Sequence, residues 1–330
     1  MASDSYERID KLLTRAERHL AAVFWAMVEA LRKDLDLKAL ADLIEGGRWA
    51  DALDLIQRTA ERLGAASNLM FVQSGQDTAV FLAGAGVANI AFDQVNNRAV
   101  AIMQQNRLRL IREFTDGQRD VLRSVMSDGI ARGLNPRDQA RQFREVVGLT
   151  DRQARAVLNY RRLLTQAGQA DIAAADQAEA LTRALRDRRF DRSVLSAIRD
   201  ERPLTAAQID KMVERYRQRY VKYRAEVIAR TEALRSVHEG VAEAFDQAID
   251  RGDIEAGQIE QKWVSAGDAR VRDSHRFLNG QKRPIGGTWQ GTYGTLRYPG
   301  DPEAPASETV QCRCVLVRRI VRLRSIPSLF

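Results

Sequence analysis

The chain has 330 residues, which suggests two domains at about 150 residues each. Its apolar content of 45% and charged content of 29% are those of a globular protein, and they exclude a disordered or fibrous chain. The net charge of +8 is concentrated in the second half of the chain and fits either nucleic acid or an acidic protein surface as a partner.

The N-terminal region, 1–133, is predicted to be helical. Apolar residues from Ile9 to Leu31 recur at spacings of three and four, which predicts an amphipathic helix that continues toward Gly46 and Gly47. The same spacing predicts further helices over 49–63, 76–112 and 117–131.

Three features bear on the cellular location. The longest apolar runs, at 20–28 and 79–92, fall short of the about 20 residues that a membrane helix needs, so we expect no stable membrane insertion. Asp4 and Glu7 stand where a signal peptide would carry positive charge, so synthesis and initial residence in the cytoplasm are expected. The chain has 2 cysteines, too few for a disulfide framework.

Residues 134–165 predict a helical hairpin. Asn135 followed by proline marks the start of one helix, and Thr150 with Gln153 has the pattern of a capping box at the start of the next. The outline resembles a helix-turn-helix, although such hairpins are more often plain packing units. The Arg-rich segment that follows, 166–204, is predicted to be a linker or flexible arm.

A capping-box pattern at Thr205 and Gln208 predicts a helix that runs to about residue 250. Its first part interleaves tyrosines with basic side chains. The tyrosines could stack on nucleic acid, or they could form a packed stripe surrounded by solvated charges. The candidate contacts to nucleic acid or a partner protein are Arg215, Arg217, Arg219, Lys222 and Arg224.

After Gly252 the helical periodicity stops and glycine, proline and tryptophan become frequent. Strands are predicted at 259–264, as a pair around 281–297 with a hairpin loop over 286–294, and at 312–321. The predicted fold is mainly α, with an elongated helical N-terminal region and a small C-terminal α+β domain. The predicted regions are 1–133, 134–204 and 205–330.

Four short motifs occur in order in the last third of the chain. They are Ala-Arg-Thr-Glu at 229–232, the pattern D-x-R-V-R-x-x-H-x-x-x-x-G at 268–280, Pro-Gly-Asp-Pro at 299–302 and Cys-Arg-Cys at 312–314. Together they resemble the phage head morphogenesis domain typified by the F protein of phage Mu, over about 225–320. The motif residues are Arg230, Thr231, Glu232, Asp268, Arg270, Arg272, His275, Gly280, Pro299, Gly300, Asp301, Pro302, Cys312, Arg313 and Cys314.

The resemblance implies a minor head protein of a tailed phage or prophage, with a structural or assembly role. It implies the portal protein, the major capsid protein and packaged double-stranded DNA as partners, with self-association as a further option. The implied location is the host cytoplasm during assembly and then the head interior near the portal. The alternative is a DNA-binding protein that acts through the basic helices 134–165 and 211–224.

We expect no enzymatic activity and assign no catalytic residues, because no nucleophile-elbow, metalloprotease or phosphate-loop motif stands in a plausible setting. One set of residues could bind a metal. Cys312 and Cys314 would share one face of a strand, and with His275 they supply ligand types that zinc prefers. The Cys-x-Cys spacing is unusual for zinc, and a fourth ligand is not evident, with Asp301 or His238 as candidates. The alternative is two buried reduced thiols beside a packed histidine. Apart from zinc, no cofactor is expected.

Overall fold

A computed structural model of the protein describes residues 2–87 and 91–321. Over these residues the chain is mainly helical, with small antiparallel sheets near the C-terminus, which confirms the predicted fold class. None of the described helices has the length and apolar content needed to cross a membrane. The helices are α1 (Ala2–Asp34), α2 (Leu37–Glu45), α3 (Trp49–Gly84), α4 (Asn97–Ala131), α5 (Pro136–Val146), α6 (Asp151–Gln166), α7 (Ala174–Gln177), α8 (Asp191–Arg199), α9 (Ala206–Asp250), α10 (Asp273–Leu278) and α11 (Ala306–Thr309).

The first helix is shorter than predicted. α1 ends at Asp34 rather than near Gly46, and a separate helix, α2, follows. The reason is a local cap: the Asp36 carboxylate accepts a hydrogen bond from the Ala39 backbone N–H at 2.7 Å, which starts a new helix there.

The prediction of a single helix over 76–112 is wrong. α3 ends at Gly84, Gly86 has a positive φ of 83°, and the next helix begins at Asn97. A left-handed backbone cannot continue a right-handed helix, so the glycines end α3 instead of weakening it. Consequently the helix predicted at 49–63 extends to Gly84, and the one predicted at 117–131 is the end of α4. Ile90, within this predicted helix, lies outside the described residues.

The predicted hairpin start signals are confirmed. Asn135 accepts a hydrogen bond from the Asp138 backbone N–H at 2.9 Å, with proline at the first helical position. Thr150 and Gln153 form the predicted capping box at the start of α6. The long helix predicted from Thr205 to about 250 is α9.

The segment 166–204, predicted as a linker or flexible arm, is a run of short helices instead. It contains α7, α8 and 3-10 helices at Ala178–Thr182 and Arg188–Phe190. Buried Gln177 organises the turn before them, because its side chain accepts from the Gly168 N–H at 2.6 Å and donates to two backbone carbonyls. The segment 166–204 is therefore ordered and internally hydrogen-bonded despite its polar composition.

The strands are β1 (Ile259–Val264), β2 (Lys282–Pro284), β3 (Trp289–Gln290), β4 (Thr295–Leu296) and β5 (Val315–Ile320). The C-terminal sheet has the antiparallel order β2-β1-β5, and a separate hairpin pairs β3 with β4. Ile259, Gln261 and Trp263 alternate toward the buried side of β1, which confirms the strand predicted at 259–264. The last strand begins at Val315, so the two cysteines precede it in a turn and do not lie on the strand as predicted.

Two compact units are each assembled from segments far apart in sequence. Unit 1 draws on 1–23, 63–109 and 226–330, and unit 2 on 24–62 and 110–225. Each of the long helices α1, α3, α4 and α9 contributes residues to both units. A division into consecutive regions does not describe these units, and the boundaries at 133 and 204 stay a prediction.

Candidate functional site

Glu232, the acidic residue of the first motif, lies at the centre of a buried ion-pair network in unit 1. The side chain of Glu232 is 4% exposed and accepts hydrogen bonds from Arg109 at 2.6 Å and from Arg235 at 2.7 Å. Burying a carboxylate is tolerated when it is paired and hydrogen-bonded in this way. The network joins α9 to α4.

Arg230 and Thr231 have different roles from Glu232. Arg230 pairs with Glu17 of α1 at 3.0 Å, and both side chains are about one-third exposed, at 34% and 31%. Thr231 accepts a hydrogen bond from the Gln311 backbone N–H at 3.3 Å, directly before the cysteine turn. Gln311 has a positive φ of 55°, an uncommon backbone state for a residue other than glycine, and this contact supports it.

The Pro-Gly-Asp-Pro motif is a tight turn packed on the same helix, α9. Gly300 has a φ of 85°, and a Cβ added there would lie 2.8 Å from the Leu234 Cβ, so glycine is required on both grounds. The Gly300 carbonyl accepts from Arg235 Nε at 3.1 Å. Asp301 accepts from the Glu303 N–H at 3.1 Å, a bond to the backbone two residues along the chain that is typical of aspartate in turns.

His238 of α9 fixes the start of β5. Its Nδ1 donates to the Leu234 carbonyl at 2.8 Å, and its Nε2 accepts from the Leu316 backbone N–H at 3.0 Å. Burial is the main cause that lowers the pKa of His238 to about 3, so the ring is neutral. Both nitrogens are used, which excludes His238 as the fourth metal ligand, and Asp301 is likewise committed to Arg297 at 2.6 Å.

The next residue of α9, Glu239, is a buried carboxyl. It accepts hydrogen bonds from Asn106 and, at 3.0 Å, from the Tyr298 hydroxyl. Burial outweighs these bonds and raises the pKa of Glu239 to about 7. Unit 1 therefore contains two adjacent buried groups, His238 with a lowered pKa and Glu239 with a raised pKa.

The structure brings together the three predicted metal ligands. The ligand atoms of His275, Cys312 and Cys314 lie within 4.8 Å of one another, and all three side chains are buried. His275 Nδ1 is 3.4 Å from the Cys312 sulfur and 3.6 Å from the Cys314 sulfur. The two cysteines do not lie on a strand, so strand alternation does not bring their sulfurs together. Instead, the Cys314 backbone N–H donates a hydrogen bond to the Cys312 sulfur at 3.4 Å.

Glu308 is a site residue that the sequence analysis missed. It is fully buried on α11, and its Oε2 lies 2.9 Å from His275 Nε2, although the angle there is poor for a hydrogen bond. Its Oε1 accepts from the Tyr293 backbone N–H at 2.9 Å, and Ser274 donates to Oε2 at 3.3 Å. No local signal in the sequence distinguishes this glutamate from an exposed one.

The two thiols shift each other's pKa in opposite directions. The hydrogen bond from Cys314 is the largest cause lowering the pKa of Cys312 well below its usual range, and His275 lowers it further, against the effect of burial. The pKa of Cys314 is raised, first by Cys312 and then by burial. The pair thus favours one thiolate, at Cys312, beside the imidazole.

The second motif frames this cluster. Arg272 donates to the Val310 carbonyl at 2.6 Å and so fixes the backbone shortly before the two cysteines. Asp268 forms an ion pair with Arg313, the residue between the two cysteines. The side chain of Arg270 is exposed, and Gly280 supplies a positive φ of 81° after α10.

In unit 2, the predicted basic stripe on α9 is only partly available to a partner. Arg217 is fully buried and pairs with Glu29 at 2.6 Å and Glu214 at 3.2 Å. Its assignment as a nucleic-acid or portal contact is therefore wrong. In the folded protein the positive charge of Arg217 is paired with these two glutamates.

Arg224 is also buried. It donates to the Gly148 carbonyl at 2.7 Å and lies over the rings of Phe24 and Phe114, with its guanidinium carbon 5.7 Å and 5.4 Å from their centroids. Its assignment as a contact is wrong for the same reason. Arg219 is half-exposed and bonds the Leu185 carbonyl at 3.0 Å. Arg215 and Lys222 remain as exposed members of the stripe.

The tyrosines of this helix are largely packed. Tyr216 is buried, with its ring centroid 4.5 Å from that of Tyr160 on α6 and 5.0 Å from that of Tyr220. These contacts favour the packed stripe over a set of free stacking platforms. Tyr223 is the exposed exception. The hairpin helix α6 likewise buries one face in unit 2, with Ala154, Val157 and Leu164 inside.

Comparison with known proteins agrees with the motifs. The model of the family described as Phage Mu protein F like protein matches residues 177–317, a range that contains all four motifs. Residues 177–317 are therefore similar to this family, and the similarity suggests a phage head morphogenesis protein. No curated protein and no solved structure gives a significant match to the chain.

Proposed function

We propose that this protein, which carries a Mu F-like domain over 177–317, is a minor head protein that associates with the portal and the capsid interior during phage head assembly. The family match is the observation that carries the proposal. The packing of the motifs supports a structural role, because most of their charged side chains make internal contacts. Glu232, Asp301 and Arg272 each bond other parts of the fold.

The first experiment is quantitative mass spectrometry of purified particles, with the portal protein as the internal standard. We expect a few copies per particle, at or below the portal count. Complete absence from mature heads and procapsids would overturn the assignment as a head component. Isolation of the protein with procapsids alone would limit its role to assembly.

The docking surface can be mapped with exposed aromatic residues of the matched domain. Phe277 on α10 and Tyr293 after β3 are both exposed, and exposed aromatic side chains are frequent anchors of protein interfaces. Replacing both with serine should reduce copies per particle if the portal or capsid binds there. Leu108→Ser is the matched control, because Leu108 is an exposed apolar residue of unit 1 outside the matched range.

Contact with packaged DNA is the finer part of the proposal, and it rests on the exposed cations of α9. Arg215→Gln with Lys222→Gln should weaken DNA binding and reduce the magnitude of the salt slope of log affinity by about 2, at about 0.9 per phosphate contact. Lys38→Gln with Arg58→Gln removes the same charge from exposed sites elsewhere in unit 2 and serves as the control. Equal effects of the two pairs would mean that α9 has no particular DNA contact.

A further inference from the structure

We propose that His275, Cys312 and Cys314 bind one zinc ion, the histidine through Nδ1 and both cysteines as thiolates, with Glu308 holding the ring from the opposite side. This inference is independent of the role in head assembly. It assigns a metal centre with three protein ligands to the turn that leads into β5.

The first argument is the spacing of the donor atoms. Zinc bound tetrahedrally, with Zn–S of about 2.3 Å and Zn–N of about 2.0–2.1 Å, separates nitrogen from sulfur by about 3.6 Å. His275 Nδ1 lies 3.4 Å from one sulfur and 3.6 Å from the other. Both nitrogen–sulfur distances thus match those of a zinc site, and all three donor atoms lie within 4.8 Å of one another.

The second argument is the hydrogen-bond count at Nδ1. A ring nitrogen either carries one proton or offers one lone pair, so it can form one good hydrogen bond. Both the Cys312 and the Cys314 sulfur approach the same nitrogen at comparable distances. A metal ion satisfies the nitrogen and both sulfurs at once, whereas a single proton satisfies only one pair.

The third argument is the carboxylate behind the histidine. Metal-binding histidines usually donate their second ring N–H to a carboxylate or carbonyl, which fixes the tautomer and orients the ring. Glu308 Oε2 lies 2.9 Å from His275 Nε2, and Tyr293 and Ser274 hold this carboxylate in place. With the proton on Nε2, the lone pair of Nδ1 points to the sulfurs. A small ring rotation on metal binding would align the Nε2 contact.

The surroundings also fit a metal centre. Trp263 is fully buried and packs edge-on against the His275 ring, with centroids 5.3 Å apart, and Trp289 packs against Trp263. Such an apolar shell restricts water and strengthens the ion's interaction with its ligands. The Cys314 backbone N–H already donates to the Cys312 sulfur, a bond that stabilises a thiolate. Among the described residues the cluster contains no fourth histidine, cysteine or acidic ligand, so a water molecule completes the tetrahedron.

The test uses the full-length chain, stripped of metal under reducing conditions and then titrated with Zn²⁺ against a chromophoric chelator. We expect one equivalent of zinc per chain. Co²⁺ in place of zinc should give the sulfur-to-cobalt charge-transfer absorption and the intense visible bands of a tetrahedral site. Failure of the wild-type chain to compete for zinc, or a cobalt spectrum without thiolate bands, would overturn the proposal.

Variants then test the individual residues. Cys312→Ser and Cys314→Ser should each abolish the thiolate spectrum of a two-sulfur site. Glu308→Gln should keep the ligands and weaken zinc binding by about 10–100-fold. Glu303→Gln, at an exposed acid five residues away, is the control and should bind zinc like the wild type. Unchanged zinc affinity in both cysteine variants would also refute the site, and the wild-type cobalt spectrum decides the matter if a variant does not fold.

Discussion

The buried Glu232 network and the half-exposed Arg230 pair allow a sharp test of which motif residues hold unit 1 together. Glu232→Gln keeps the shape of the side chain but removes the negative charge that faces Arg109 and Arg235, whose side chains are 17% and 10% exposed. Removing one partner of a buried ion pair costs about 3–5 kcal/mol, because a buried charge is left beside a neutral group. Arg230→Gln breaks a pair with Glu17 that is one-third exposed, and pairs of that kind contribute about 0.2–1 kcal/mol.

Urea unfolding monitored by tryptophan fluorescence provides the assay. Trp263 and Trp289 lie in the same unit as the network, so a background with Trp25→Phe and Trp49→Phe makes the signal report on unit 1. Glu232→Gln should lower the free energy of unfolding several times more than Arg230→Gln. Equal losses in the two variants, or a loss below about 1 kcal/mol for Glu232→Gln, would refute the argument from burial.

Two further predictions concern the same unit. Gly300→Ala should lower the free energy of unfolding by about 2–4 kcal/mol, because it combines left-handed backbone strain with a Cβ placed 2.8 Å from the Leu234 Cβ. Gly280→Ala, with a φ of 81° and open space around the new Cβ, should cost only the backbone strain of about 1–2 kcal/mol. Equal losses of the two variants in urea unfolding would contradict this account. For Glu239, the folded pKa of about 7 exceeds the ordinary value of 4.5, so the native state binds more protons between these values and its stability falls as pH rises. Glu239→Gln removes this term, so its stability relative to wild type should rise by about 3 kcal/mol between pH 4.5 and 7.5, and a pH-independent difference would be evidence against the shift.

The sequence could predict the features that depend on near neighbours. The cap at Asn135, the capping box at Thr150 and the strand beginning at Ile259 all appear where expected, because a few adjacent residues determine them. The break after Gly84 was missed because glycine in an apolar run can either weaken a helix or end it. The choice depends on the backbone angle at Gly86, which the residue pattern does not specify.

The three candidate metal ligands could be predicted from the sequence, but the glutamate that supports them could not. His275 and the two cysteines stand out by residue type, so composition and spacing were sufficient to select them. Glu308 could not be selected, because the chain has 44 acidic residues and only the folded structure places this one beside the imidazole. The assignment of Arg217 and Arg224 as partner contacts was wrong for the same reason. Helical spacing places Arg217 beside other cations, but contacts with distant segments bury it.

The first and second motifs share a further feature, because both contact the segment around the fourth motif. Thr231 supports the strained backbone at Gln311, Arg272 bonds the carbonyl just before it, and Asp268 pairs with Arg313 between the cysteines. A set of side chains that bond one another has few groups left for an external partner. The motifs therefore account for how the domain folds, and the residues that distinguish its partners should be sought among exposed side chains such as Phe277, which lies within the second motif but bonds none of the others.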